Sequence, residues 1–336
     1  MRHYVGIDLH RRRSVIFTMD CEGTRLGCKR IVNEPQALLE AVLEHSTDPE
    51  VVIEATYGWY WAVDLLQEQG LSVHLAHPAG NDWGKRRVKN DERDARDLAD
   101  LLRLGRLDEA WIAPKETREL RELVRYRHKL VELRTGLKAQ IHAVMAKEGE
   151  LPSRGWMFGP GGNAQLDAME HVGDGYGIRM ASLRELIDHY DAEVAKVERE
   201  IHHRLKGDPA YEAVQTIPGV GRTLAAIFVA EIGDVSRFKS PEALSSWAGL
   251  APRHHESDTK VIRGQITKMG SKLMRWAAIE AVSGRRGGTK LREDFHQIAE
   301  RRGKYKARAA VARKLLTLVY YGLRDHEIRA LATEAS

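Results

Sequence analysis

The chain has 336 residues, 43% of them hydrophobic, enough for two or three domains and at least one sizeable core. No run reaches the ~18 apolar residues of a membrane span, the start MRHYVGIDLH lacks the charged-then-apolar layout of a signal peptide, and the two cysteines, Cys21 and Cys28, have no second pair to complete a zinc site, so a soluble, cytoplasmic protein with reduced thiols is expected. The net charge is only +5, yet residues 251–314 carry 17 Lys plus Arg against 6 Asp plus Glu, a local net of +11 that leaves −6 for the rest and marks where a polyanion such as a phosphate backbone would bind.

Taken in chain order, the first ~110 residues alternate short β-rich runs with helical patterns, as an α/β domain does. YVGIDLH reads as a strand with SVIFTMD as its hairpin partner across RRR; VVIEAT and LSVHLAHP are further strands, and residues 60–69 and 91–104 have helical patterns. Asp8 and Glu54 each sit in or just past a strand that is otherwise hydrophobic, where an unpaired carboxylate costs several kcal/mol, about 2–7, and so calls for a partner or a metal. The stretch VKNDERDARDLADLL adds Asp91 and Asp94, an i, i+3 pair on one helix face that would repel unless a cation neutralised it. A solvated acidic helix start is the plain alternative, because first-turn carboxylates complement the helix dipole. If the two strand ends and that helix face converge, four carboxylates meet, and a pair of Mg²⁺ ions about 3.5–4 Å apart is the usual neutraliser, suited to phosphodiester chemistry.

From Glu116 to Lys147 Leu and Val recur at helical steps, and a second stripe from Leu183 to Leu205 follows a Pro- and Gly-rich insert at 151–177. Two long amphipathic helices suggest either an antiparallel hairpin or an intermolecular coiled coil. Next, TIPGVGRTLAAIF places Gly219 and Gly221 before a helix, as in helix-hairpin-helix modules whose backbone N–H groups meet a phosphate; a plain tight turn fits equally. SPEAL then opens a helix with Ser as N-cap and Pro at the first position, ending near Gly249. The following stretch has loop composition with Ser257 in its middle and Arg253, Lys260, Arg263, Lys268, Lys272 and Arg275 around it, while Arg285, Arg286, Lys304 and Lys306 extend the basic character. Ser257 is either a polar loop residue or a nucleophile that conserves phosphodiester energy during rejoining.

The succession YVGIDLH, VVIEAT, KNDERDARDLA, IPGVG, GLAPRHHES, GQITKMGSKLMR and KARAAVARKLL resembles the DEDD transposases of bacterial insertion sequences of the one-ten type, bridge-RNA-guided serine recombinases, over nearly the whole chain. That resemblance implies a RuvC/RNase H-like α/β domain at 1–112, coiled-coil helices at 113–206 and a small all-α transposase domain at 207–336. It implies Asp8, Glu54, Asp91 and Asp94 as ligands of Mg²⁺, Ser257 as the residue that becomes linked to DNA, DNA and a noncoding bridge RNA as partners, and assembly as a tetramer associated with the nucleoid. The chain departs from the family at His255, where Tyr is frequent, and at Asp258, where Gly is frequent. A RuvC-type junction nuclease using water and a non-enzymatic nucleic-acid-binding assembly protein are the alternatives.

Overall fold

A computed structural model describes residues 2–78, 90–149, 158–159, 166–167, 173–257, 260–283 and 289–332. The chain divides into two compact units, residues 1–113 and 114–336.

The first unit is built on β1 (Tyr4–Leu9), β2 (Arg13–Met19), β3 (Arg25–Val32), β4 (Glu50–Glu54) and β5 (Ser72–Ala76), in the sheet order β3-β2-β1-β4-β5. The first three strands form an antiparallel meander, whereas β4 and β5 run parallel to β1. α1 (Pro35–Leu43) and α2 (Tyr60–Glu68) supply the crossovers that parallel strands need, and their Leu38, Val42, Val63 and Leu66 close over Val5, Ile7, Val51, Ile53 and Leu75. α3 (Asp91–Arg103) covers the other face, setting Ala95 and Ala99 against Val15, Phe17 and Met19, and Leu98 against Val52 and Ala76. Its start is fixed locally: the Asn90 side chain accepts from the Glu92 N–H, and Asp91, Glu92 and Asp94 occupy the positive end of the helix dipole. This mixed α/β unit is consistent with an RNase H-like domain. β3 escapes a reading of the sequence, because RLGCKRIV is an edge strand with five of its eight residues exposed and no apolar alternation.

In the second unit α4 (Lys115–Lys147) and α5 (Asp174–Arg204) lie antiparallel. The pairs Arg204–Glu119, Arg127–Glu198 and Arg134–Asp191 run in opposite sequence directions along the two helices, so the apolar stripes face each other within one chain. One end of this hairpin closes over Ile141, Val144, Met145, Met180, Leu183 and Ile187. At the other end Val124, Leu130, Val194 and Ile201 enter the same core as α6 (Pro209–Gln215), α7 (Arg222–Ile232), α8 (Pro241–Trp247), α9 (Lys272–Ser283) and α11 (Lys304–Asp325), with Phe228, Leu244, Met274 and Leu315 fully buried. The stretch 113–206 therefore shares a core with the helices after 207. α10 (Lys290–Arg302) buries no residue completely, and the short α12 (Arg329–Ala332) completes the unit.

The stretch after Gly249 is a β-hairpin, not the loop its composition suggests: β6 (Pro252–Ser257) pairs antiparallel with β7 (Lys260–Ile266). Its polar residues fall on both faces, so the alternation that normally betrays a strand is missing. The hairpin's base is tightly tied. A Cβ on Gly249 would lie 2.0 Å from the Met269 carbonyl oxygen, and one on Gly270 would lie 2.0 Å from that of Trp247. The Thr267 and Lys268 N–H groups donate to the Ala251 and Gly249 carbonyls.

Candidate functional site

Gly6 and Asp8 alternate with Val5, Ile7 and Leu9, so they face α3 while the others face α1 and α2. Helix and strand meet almost backbone to backbone at Gly6, where a Cβ would fall 1.9 Å from the Ala95 carbonyl oxygen. Asp91 lies one turn before Ala95, and Asp94 one turn before Leu98, so both project from the buried face of α3 at the end nearest Asp8. Asp8 is only 8% exposed. Burial pushes its carboxyl above the ordinary range, the charges of Asp91 and Asp94 push the same way, and His10 partly offsets them.

His10 is a member of this cluster that the run of carboxylates does not reveal. Its Nε2 lies 3.1 Å from Asp8 Oδ2 and 3.6 Å from Asp91 Oδ1, and one ligand atom from each of Asp8, His10 and Asp91 fits within 4.8 Å of the others. His10 lies just past the end of β1, two residues after Asp8, a D-x-H spacing too common to mark it in the sequence. Glu54 closes β4 one position past Ile53, the partner of Ile7, so it stands beside Asp8 in register and on the same sheet face as Val52. Asp100 is spent on Arg103, with which it pairs at 2.7 Å. The buried Asp8 carboxylate, Asp91 and the His10 imidazole form a donor set that could hold a divalent cation, whereas Asp94 and Glu54 lie near it but outside this cluster.

Ser257 ends β6, pairs with Lys260 towards the tip of the hairpin and is exposed. Beside it His254 Nε2 meets Glu256 Oε2 at 3.2 Å. Arg253, Lys268, Lys272, Lys304 and Lys306 are exposed. The side chains of His255, Lys260 and Arg263, and the whole of Asp258, Arg285 and Arg286, lie outside the described residues, as does most of the insert at 151–177. Arg275 does not belong with the exposed cations: it is 9% exposed, and its Nη1 donates to the carbonyls of Ala248, Met269 and Gly270, so it braces the hairpin's base instead of meeting a phosphate. Gly219 has φ 92°, and a Cβ there would come 2.2 Å from the Ala281 carbonyl oxygen, so its glycine is needed for the turn and for the approach to α9. Gly221 is the N-cap of α7.

Residues 5–148 match a transposase family of the DEDD IS110 type, and residues 211–297 match the transposase IS116/IS110/IS902 family. The chain belongs to the IS110-type DEDD transposases. It is accordingly an enzyme of the transposase and recombinase class. It is 27% identical over 283 residues, 80% of its length and 76% of the relative's, to the transposase for insertion sequence element IS1111A of Coxiella burnetii. A probable family 20 transposase of Pseudomonas aeruginosa is 26% identical over 227 residues, 64% of each chain. The pilin gene-inverting protein of Moraxella bovis is 33% identical over 144 residues, 42% of this chain and 43% of that one. Among the described residues no helix is long and apolar enough to cross a membrane.

Proposed function

We propose that this IS110-type transposase is a Mg²⁺-dependent DNA recombinase in which Ser257 attacks a phosphodiester and Asp8, Glu54, Asp91 and Asp94 hold the metal ions. The observation that supports it most is the cluster of Asp8, His10 and Asp91 at one end of α3, with Asp94 close enough for its charge to raise the Asp8 pKa and Glu54 one position past the strand partner of Ile7. When bound there, Mg²⁺ would supply charge neutralisation at phosphate oxygens and a more acidic attacking hydroxyl. Asp8 is sheltered from water while Asp91 is half exposed, so the carboxylates hold their positions with one side left open to a phosphate.

The serine step is a transesterification. A P–O bond forms to Ser257 Oγ, one bridging P–O bond of the DNA breaks, the Oγ proton leaves, and the departing deoxyribose oxygen takes up a proton. Bond number is conserved, so resealing needs neither ATP nor a ligase. The exposed hairpin tip gives the hydroxyl the access that such an attack requires. Residues 1–112 would be the RuvC-like catalytic domain, 113–206 the coil and 207–336 the nucleic-acid-gripping domain carrying the nucleophile. A noncoding bridge RNA that selects the two DNA sites and a tetrameric assembly with catalytic sites drawn from different subunits rest on the resemblance to serine recombinases of this type.

The test is to denature wild-type protein in mid-reaction and map the DNA-bearing peptide. DNA attached to the peptide containing Ser257, with no adduct and no recombinant product from Ser257→Ala, is the expected result. DNA attached elsewhere, or recombination surviving in Ser257→Ala, would return a water-using RuvC-type nuclease to first place.

A further inference from the structure

The second unit carries a groove of about 540 Å³ between α4 and the N-terminal end of α9, within the size range of small-ligand pockets. Its wall includes Trp276, which stays 38% exposed although it sits within a turn of the fully buried Met274 and Ala277. Leaving that ring in water costs hydrophobic free energy that an ordinary core position would recover. His128 stands next to it, the ring centroids 4.8 Å apart at 52°, which steadies the indole from one side. Burial lowers the His128 pKa from its ordinary value; its Nδ1 is itself buried without a hydrogen-bond partner among the described residues, and its Nε2 lies 3.7 Å from Glu132 Oε1, so the ring's part in the groove is to hold the indole. Lys272 lies on the same rim in the first turn of α9, with no ion pair among the described residues, and the Arg125 guanidinium, held at 2.7 Å by the buried Glu231, borders the groove with its side chain 47% exposed. One acid, Glu132, also lines the groove, one turn after His128 on α4.

A flat ring and two cations beside the positive end of a helix match a nucleotide: a π-face for the base and charge for its phosphate. A duplex offers no free π-face, so the occupant is an unpaired base. We propose that the groove between α4 and α9 takes one unpaired nucleobase of a bound nucleic acid, stacked on Trp276, with its phosphate against Lys272. This reading rests on the chain being a nucleic-acid enzyme. It does not depend on which residue is the nucleophile or which metal is held.

The test uses the full chain in EDTA, so that no strand is cut, with two single-stranded probes of equal length: an oligothymidylate and a base-free deoxyribose-phosphate strand. Wild type should bind the oligothymidylate about tenfold more tightly, the factor that stacking one base is worth. Trp276→Ala should lose that advantage while binding the base-free strand as before, and Trp276→Phe should keep most of it. Lys272→Ala should weaken both probes, with a smaller dependence on salt. Equal binding of the oligothymidylate by wild type and Trp276→Ala would overturn the proposal. So would an equal loss on both probes, or a fall in particle mass in light scattering with binding unchanged, which would make the groove a self-association surface. Failure here leaves the Ser257 adduct untouched, whereas failure of the recombinase reading appears as a missing adduct in protein that still discriminates between the two probes.

Discussion

Asp8 is the residue on which the fold and the proposed chemistry conflict. Its carboxylate is buried beside Asp91 and Asp94, an arrangement that destabilises the metal-free protein and that a divalent cation would reverse. Asp8→Asn keeps the shape and the contact with His10 while removing the charge. We expect the metal-free variant to melt at the wild-type temperature or up to about 4 °C higher, the shift that ~1 kcal/mol brings to a domain of this size, and DNA cleavage in Mg²⁺ to fall about 100-fold or more. Cleavage at the wild-type rate would remove Asp8 from the metal site. Asp8, Glu54, Asp91 and Asp94 could be picked out of the sequence because a charge in an apolar strand, or a like-charged pair on one helix face, carries a visible cost. His10 could not, since a histidine just past a strand costs nothing until the helix arrives beside it. Arg275 misled for the opposite reason: among so many arginines and lysines, nothing in its neighbours distinguishes a guanidinium that caps three carbonyls from one that waits for a phosphate.

At the scale of elements, the spacing between α3 and β1 decides whether the carboxylates meet. Ala95 and Ala99 on the helix and Gly6 on the strand remove the side-chain layer that normally separates a helix from a sheet. Gly6→Ala would force a methyl to 1.9 Å from the Ala95 carbonyl oxygen, so α3 has to move off the sheet and take Asp91 and Asp94 with it. The expected loss is about 1–3 kcal/mol of stability, the usual range for overpacking, read from thermal or urea unfolding, together with weaker Mn²⁺ or Mg²⁺ binding by titration calorimetry. Gly136→Ala in α4, where a Cβ meets nothing within 4 Å, is the matched control and should stabilise by about 0.5–1 kcal/mol. If Gly6→Ala behaves like the control, the close approach is not what positions the acids. α1, α6 and α9 to α11 were not picked out one by one, whereas α2 to α5 were legible because their apolar periodicity is strong. β3 and the β6–β7 hairpin were not, because an edge strand and a polar two-stranded ribbon have no buried face to impose a pattern.

At the scale of the whole molecule, the coil's apolar stripes are largely used within the chain. Leu130 is 4% exposed, and Leu137 packs against the cluster around Ile141 and Ile187, so glutamate at either position would damage the hairpin itself. Leu133 and Leu186 are 42% and 43% exposed and are the better probes of assembly. Replacing both with Glu should leave the melting curve within about 0.5 kcal/mol of wild type, as surface changes do, and should lower the particle mass measured by light scattering if the protein works as a tetramer joined along α4 and α5. An unchanged mass would place any assembly elsewhere. The clamp under the hairpin bears on how such a protein can diversify. Gly249, Gly270 and Arg275 each occupy a space or a set of carbonyls that no other side chain can take over alone, so drift at any one of them loosens the stem that carries Ser257. Towards the tip the described side chains, His254, Glu256 and Ser257, are exposed and lie outside that clamp. Lineages can therefore rewrite the contacts around the Ser257 hydroxyl through single substitutions while inheriting its mounting unchanged.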